Sequence, residues 1–127
     1  MDSIGKAARV DRVQAELGVR VPPDYAEFLV RYGHAETGGL TIYGYSQDMA
    51  DAEAVPCVIG VTRRLRPIHG LRRHELVLAQ TNGSLIVLDC AGGMVLEVDC
   101  LERRRIVARC FDLWMVGLKQ GEGRRDG

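Results

Sequence analysis

The chain has 127 residues, 46% hydrophobic and 27% charged, which is material for one self-sufficient core without disulfide or metal support. Seventeen basic and seventeen acidic side chains cancel, so no global field draws the chain to nucleic acid or to an anionic membrane. No apolar run reaches the roughly 20 residues that cross a bilayer. Charges also break up MDSIGKAARVDRV where a signal peptide needs an apolar stretch, so the expected location is the cytoplasm.

Residues 3–17 predict a first helix. Ser3 is its candidate cap, Ala7, Val10, Val13 and Leu17 form an apolar stripe, and Gly18 ends it. Pro22-Pro23 opens a second helix over 23–32, with Asp24 and Glu27 complementing the dipole of its first turn. Tyr25, Phe28, Leu29 and Tyr32 recur at i, i+3, i+4 and i+7 and predict its buried face, and Gly33 closes it. After a loop at Gly38-Gly39, residues 40–45 (LTIYGY) read as a short strand, expected beside the main sheet at an edge. Residues 46–54 are acidic and read as a surface connection. Residues 55–66 fit a helical period at Val55, Val58, Ile59, Thr62 and Leu65, while their β-branched content suits a strand; the helix is preferred. Arg66-Pro67 through Arg73 reads as a basic loop.

The stretch from Glu75 to Cys100 organises the rest. Asn82-Gly83 is a two-residue hairpin turn, since both positions tolerate positive φ. It sets Thr81 opposite Ser84, Ala79 opposite Ile86 and Val77 opposite Leu88. For the second reversal, a three-residue loop at Ala91-Gly92-Gly93 sets Cys90 opposite Met94, Leu88 opposite Leu96 and Ile86 opposite Val98. That choice keeps one face apolar, where a one-residue slip would turn every side chain over. Arg103-Arg104-Arg105 marks a turn, 106–110 returns as a strand, and 110–119 predicts a last helix with Phe111, Trp114, Met115 and Leu118 inward. The expected fold class is α+β: an antiparallel or mixed β-sheet meander with two N-terminal helices, a middle helix and a C-terminal helix packed on it. The expected organisation is one domain over 1–120 and a flexible tail over 121–127.

Catalytic chemistry finds little purchase. His34, His69 and His74 lie in predicted loops, the last two among arginines, which is poor company for metal ligands. Asp89, Glu97 and Asp99 share one sheet face in this register, but no nucleophile is placed near them. Asp89 also suits a local role in its turn. Cys90 and Cys100 share a face about 20 Å apart along the ladder, too far for a disulfide. With no Cys-x-x-Cys in the chain, all four cysteines read as buried reduced thiols and zinc is disfavoured. Cys57 and Cys110 fall at helix starts, where a thiol pKa can drop, yet the inert reading is preferred. No enzyme activity, metal or cofactor is expected.

Three segments in order carry a resemblance. They are Glu16-Leu17-Gly18-Val19 with Val21-Pro22-Pro23-Asp24-Tyr25 and Phe28-Leu29, then Gly83 with Leu85-Ile86-Val87-Leu88-Asp89, then Cys110-Phe111-Asp112 with Trp114-Met115. Over residues 8–118 the chain resembles the SUKH superfamily, the Smi/Knr-like cell-wall-regulator and toxin-immunity proteins. It departs from that pattern at Tyr32-Gly33-His34, where Asn-Gly is usual, at Ser84 in place of Asp or Asn, and at Cys110 in place of a capping serine. The resemblance implies a non-catalytic binding protein of the bacterial cytoplasm. Its partner would be a protein, the C-terminal domain of a secreted toxin. An adaptor role in regulation is the alternative, with nucleic acid the least favoured partner and a homodimer left open.

Candidate contact residues follow from the surface reading. Arg63, Arg64, Arg72 and Arg73 form a basic segment without aromatics to stack bases, and Asp48 and Asp51, with Glu53, form an opposed acidic patch. Leu113 and Val116 lie off the inward stripe of the last helix, either covered by the tail or another helix or forming a contact surface. Tyr43 and Tyr45 either fill the core or anchor a partner; Tyr43 is assigned to the core and Tyr45 to the contact surface.

Overall fold

The computed structural model describes residues 2–32, 34–45 and 57–123. In chain order they form α1 (Asp2–Leu17), α2 (Pro23–Arg31), β1 (His34–Thr37), β2 (Leu40–Tyr43), α3 (Val58–Ile68), β3 (Glu75–Thr81), β4 (Ser84–Asp89), β5 (Val95–Asp99), β6 (Arg104–Ala108) and α4 (Phe111–Gly123). The fold is α+β, with a four-stranded antiparallel sheet in the order β3-β4-β5-β6 and a separate β1-β2 hairpin. The expected acidic connection at 46–54 lies outside the described residues.

Each helix follows from its residues. The α1 helix buries Val13 and Leu17 and ends where Gly18 takes φ +67° and the Val19 N–H reaches the Gln14 carbonyl at 3.2 Å. Its first residue is Asp2, so Ser3, expected at the cap position, falls inside the first turn. In α2 the proline at the first position costs no hydrogen bond. Tyr25, Phe28 and Leu29 are buried as the period predicts, but Tyr32 is half exposed. The helix stops at Arg31 and Tyr32 adopts φ −130°, so its ring leaves the helical period and rests beside Phe28 at 5.4 Å.

Asp24 and Tyr25 join three elements. The Asp24 carboxylate accepts from the Asp112 N–H at 3.1 Å and so caps the start of α4 from α2. The Tyr25 hydroxyl donates to the Tyr43 carbonyl at 2.7 Å, fixing the end of β2. Burial raises the Tyr25 pKa well above its ordinary value, so the phenol stays protonated and keeps donating.

The strand at 40–45 pairs with β1 and not with the meander. Its partner HAET lacks apolar alternation, and Gly38-Gly39, expected as a loop, is the hairpin turn with φ of +61° and +79°.

Both hairpins of the meander depart from the expected register, for separate reasons. In β3 the pairs Thr81↔Ser84 and Ala79↔Ile86 hold, but Leu78 is an extra residue in a bulge. Val77 therefore faces Val87, and Leu76 faces Leu88. The bulge lets Leu78 and Ala79 enter the same side of the core. The second reversal is a four-residue loop, closed by the Asp89 N–H on the Met94 carbonyl at 2.9 Å. Leu88 pairs with Val95, and Ile86 with Glu97. That is the one-residue slip the apolar-face criterion was meant to exclude.

The criterion failed because both faces of the sheet are apolar and both are covered. One face (Leu76, Leu78, Ala79, Ile86, Leu88, Val95) packs on α1, α2 and α4 through Val13, Leu17, Tyr25, Phe28, Leu29, Phe111 and Trp114. The other (Val77, Leu85, Val87, Leu96, Val98) packs on Val61 and Leu65 of α3 and on Leu71. With no polar face, alternation does not select a register.

The expected helix over 55–66 is α3, extended through Pro67 to Ile68. It lies along the free edge of β3. The fully buried Thr62 hydroxyl accepts from the Val77 N–H at 2.9 Å. One turn later the Arg66 guanidinium donates to the Glu75 carbonyl at 3.3 Å. These two side chains satisfy edge groups that β4 cannot reach. Thr62→Val is expected to cost about 1–3 kcal/mol, because the Val77 N–H is left buried without an acceptor, while Thr62→Ser recovers most of it. Urea unfolding of the two variants checks this.

Candidate partner-binding surface

Glu75, the first residue of β3, is fully buried. Arg104 of β6 grips it in a two-pronged pair, Nε on Oε2 and Nη2 on Oε1, both at 2.9 Å. The Arg72 N–H adds a third bond to Oε1 at 2.8 Å, and Arg104 Nη2 also donates to the Gly70 carbonyl at 3.1 Å. Burial alone would push the Glu75 pKa up, but the hydrogen bonds and charges of Arg104 and Arg72 outweigh it and hold the carboxyl below its usual range.

This clamp fixes the turn that follows α3. The helix ends with His69 donating to Leu65 and the Leu71 N–H donating to the Arg66 carbonyl at 3.0 Å, across Gly70 at φ +61°. The positive φ favours glycine here; a side chain at position 70 would also fall 2.6 Å from a Glu102 carboxylate oxygen, the movable end of an exposed side chain. Leu71 turns inward, and Arg72 and Arg73 are left exposed on a braced backbone.

The arginines of this region play different parts. Arg63 pairs with Glu16 of α1, and Arg64 is half-buried. Arg66, expected in a basic loop, lies inside α3; desolvation lowers its pKa, and its Nε is buried with no hydrogen-bond partner. Arg72 and Arg73 are exposed, and among the described residues no carboxylate forms an ion pair with either side chain. Ile68 stands between the helix and this turn with 64% of its surface exposed.

The carboxylates expected on one face are divided by the slipped register. Asp89 sits on the side opposite Glu97 and Asp99, and each is engaged. Asp89 accepts from the Ala91 N–H at 2.9 Å and lies 3.3 Å from His74 Nε2. Glu97 pairs with Arg105 directly across the ladder. Asp99 accepts from the Leu101 and Arg103 N–H groups, both at 2.9 Å, which orders the β5-β6 turn. Among the described residues, no three His, Cys, Asp or Glu side chains gather as a metal would require.

All four cysteines are free. Cys57 is buried as expected and Cys90 half-buried; desolvation, reinforced by Asp89, pushes the Cys90 thiol up to about 12. Cys100 is exposed, contrary to the buried reading, because the slipped register ends β5 at Asp99 and leaves Cys100 in the turn.

The remaining candidate contact residues fall as follows. Tyr45 is 7% exposed and part of the main core, so it presents no side chain to a partner; its strand lies against the body of the molecule where an open edge was expected. Asp48 and Asp51 lie outside the described residues. Leu113 and Val116 are 56% and 49% exposed on the outer side of α4. That helix packs on α2, β6 and β1, whereas α3 packs on α1 and β3, so the apolar and basic candidates stand on different supports. Ile68 was missed because reading the segment as a loop gave it no face. Its spacing of four from Arg64 and three from Leu65 on a longer helix is the signal that could have found it.

No helix among the described residues is long and apolar enough to cross a membrane. No curated protein matches the chain. A family model, SUKH_5, described as SMI1-KNR4 cell-wall, matches residues 5–116. That span runs from α1 into α4 and includes the Asp24–Tyr25 junction, the Glu75–Arg104 clamp and the whole meander. With nearly its full length matched, the chain belongs to the SUKH_5 (SMI1-KNR4 cell-wall) family.

Proposed function

We propose that this chain is a non-catalytic, immunity-type protein of the bacterial cytoplasm that binds a cognate toxin domain in the producing cell and covers its active site. The family match carries this reading. The geometry supports its non-catalytic half: Glu75, Asp89, Glu97 and Asp99 are each committed to an arginine, a histidine or a turn amide. It supports the binding half through a charged surface braced from behind by a buried ion pair, which reduces the ordering cost of association. The test is to find whether a neighbouring reading frame encodes a large secreted protein with a toxin-like C-terminal domain, and to co-express this chain with that domain. A stoichiometric complex on size exclusion together with restored growth is the expected result. Neither complex nor rescue overturns it.

The cell-wall description of the family model favours a second reading, a regulatory adaptor that binds another cytoplasmic protein. Deleting the gene separates the two. Altered sensitivity to wall-active stress, in a cell with no toxin gene beside this one, favours the adaptor.

A further inference from the structure

Residues 54–74 contain five arginines and two histidines and no acidic side chain, in a chain whose seventeen basic and seventeen acidic residues cancel overall. The folded structure divides this charge. Arg63 is paired with Glu16, Arg64 is half-buried and Arg66 is drawn under the sheet edge, which leaves Arg72 and Arg73 facing out from the braced turn. Four residues before Arg72, at the last position of α3, stands Ile68, an exposed apolar side chain that neither core cluster includes. We propose that the end of α3 and the turn after it, centred on Ile68 with Arg72 and Arg73, is the docking surface for a protein partner with an acidic face.

The chemistry selects that partner. Two exposed guanidiniums in a segment without acids call for carboxylates, which they can bind in two-pronged fashion. An apolar side chain beside them matches how protein interfaces are built, with a desolvated anchor and flanking arginines carrying most of the energy. Nucleic acid fits less well. The segment holds no Phe, Tyr or Trp to stack a base, and an exposed isoleucine gains nothing from a phosphate backbone. The Gly70 turn and the Glu75–Arg104 clamp hold Arg72 in place before a partner arrives, so little loop ordering is left to oppose binding.

The inference rests on the reading of the chain as a protein-binding module, and the experiment keeps the two separable. Full-length tagged protein is used as bait in the source cell, and recovered proteins are identified by mass spectrometry. Each is then purified and titrated against wild type, Arg72→Glu/Arg73→Glu, Ile68→Asp, and a control with Leu113→Asp/Val116→Asp on α4. Thermal unfolding verifies that each variant is folded. The expected result is a directly bound partner whose Kd rises about 100-fold for the arginine pair and about 30-fold for Ile68→Asp, with the control unchanged. The association rate should fall as salt rises. Loss of binding only in the α4 control overturns this docking surface and leaves the binding reading intact. Recovery of RNA or DNA with a steep salt dependence, and of no direct protein partner, overturns both. Recovery of nothing by the wild-type bait also counts against both.

Discussion

Glu75→Ala is expected to lower stability by about 3–5 kcal/mol. The substitution removes one member of a buried ion pair and leaves the Arg104 guanidinium, whose side chain is only 18% exposed, without its counter-charge. It also strands the Arg72 N–H, so the turn beyond α3 loosens as well. Against a typical total of about 5–15 kcal/mol, that is a large share. The sole tryptophan, Trp114, is buried and reports unfolding directly. An unfolding free energy from urea titration within about 0.5 kcal/mol of wild type would refute the clamp. Replacing Glu75 and Arg104 together by apolar residues should cost far less, because no charge is then stranded.

The pH dependence carries a definite sign. Glu75 has a folded pKa below its unfolded value, near 4.3 for an ordinary glutamate. Its contribution is therefore fully present above the unfolded value and is lost as pH falls through the depressed folded one. Wild type should lose stability on acidification past about pH 4, and Glu75→Ala should lose measurably less over the same range. Equal slopes would place the acid sensitivity elsewhere.

Phe111→Ala is expected to cost about 3–5 kcal/mol. The ring is 2% exposed. It stands edge-on to Tyr25 at 5.0 Å and to Phe28 at 5.2 Å and touches Trp114 at 6.1 Å. Its removal opens a cavity where α2, α4 and the sheet meet, a place rigid aromatics cannot collapse to fill. Leu113→Ala, two residues along the same helix, should change stability by less than about 0.5 kcal/mol. Comparable losses for the two would mean that α4 is packed on both sides.

The residues explain what could be read in advance. Asn82-Gly83 announced its hairpin, although only Gly83 of the two takes a positive φ, and the stripes Tyr25/Phe28/Leu29 and Phe111/Trp114 named the inward sides of their helices. Local signals of this kind survive folding unchanged. The register did not, since apolar residues on both sides of each strand remove the contrast by which alternation selects a pairing, and no local feature of ELVLAQT marks Leu78 as the extra residue. Nor did the clamp. Glu75 and Arg104 are 29 positions apart, and burial of a carboxylate depends on what arrives over it. Among the candidate contact residues, the arginines at 72 and 73 were legible as surface charge. Tyr45 was misplaced because a short strand does not reveal which of its sides meets the rest of the molecule, and Ile68 required knowing that α3 runs through a proline.

The closure of β3 by Thr62 and Arg66 makes this sheet extensible in one direction only. Within the four-stranded sheet, a foreign strand would add at Arg104–Ala108, the outer strand at the other end of the order, and there it meets guanidinium groups on the incoming row. Peeling α3 away would uncover a second seam along Glu75–Thr81, where Leu76, Val77, Leu78 and Ala79 are all buried. The seating of one eleven-residue helix therefore guards a strand edge against foreign pairing, a role separate from its share in the core.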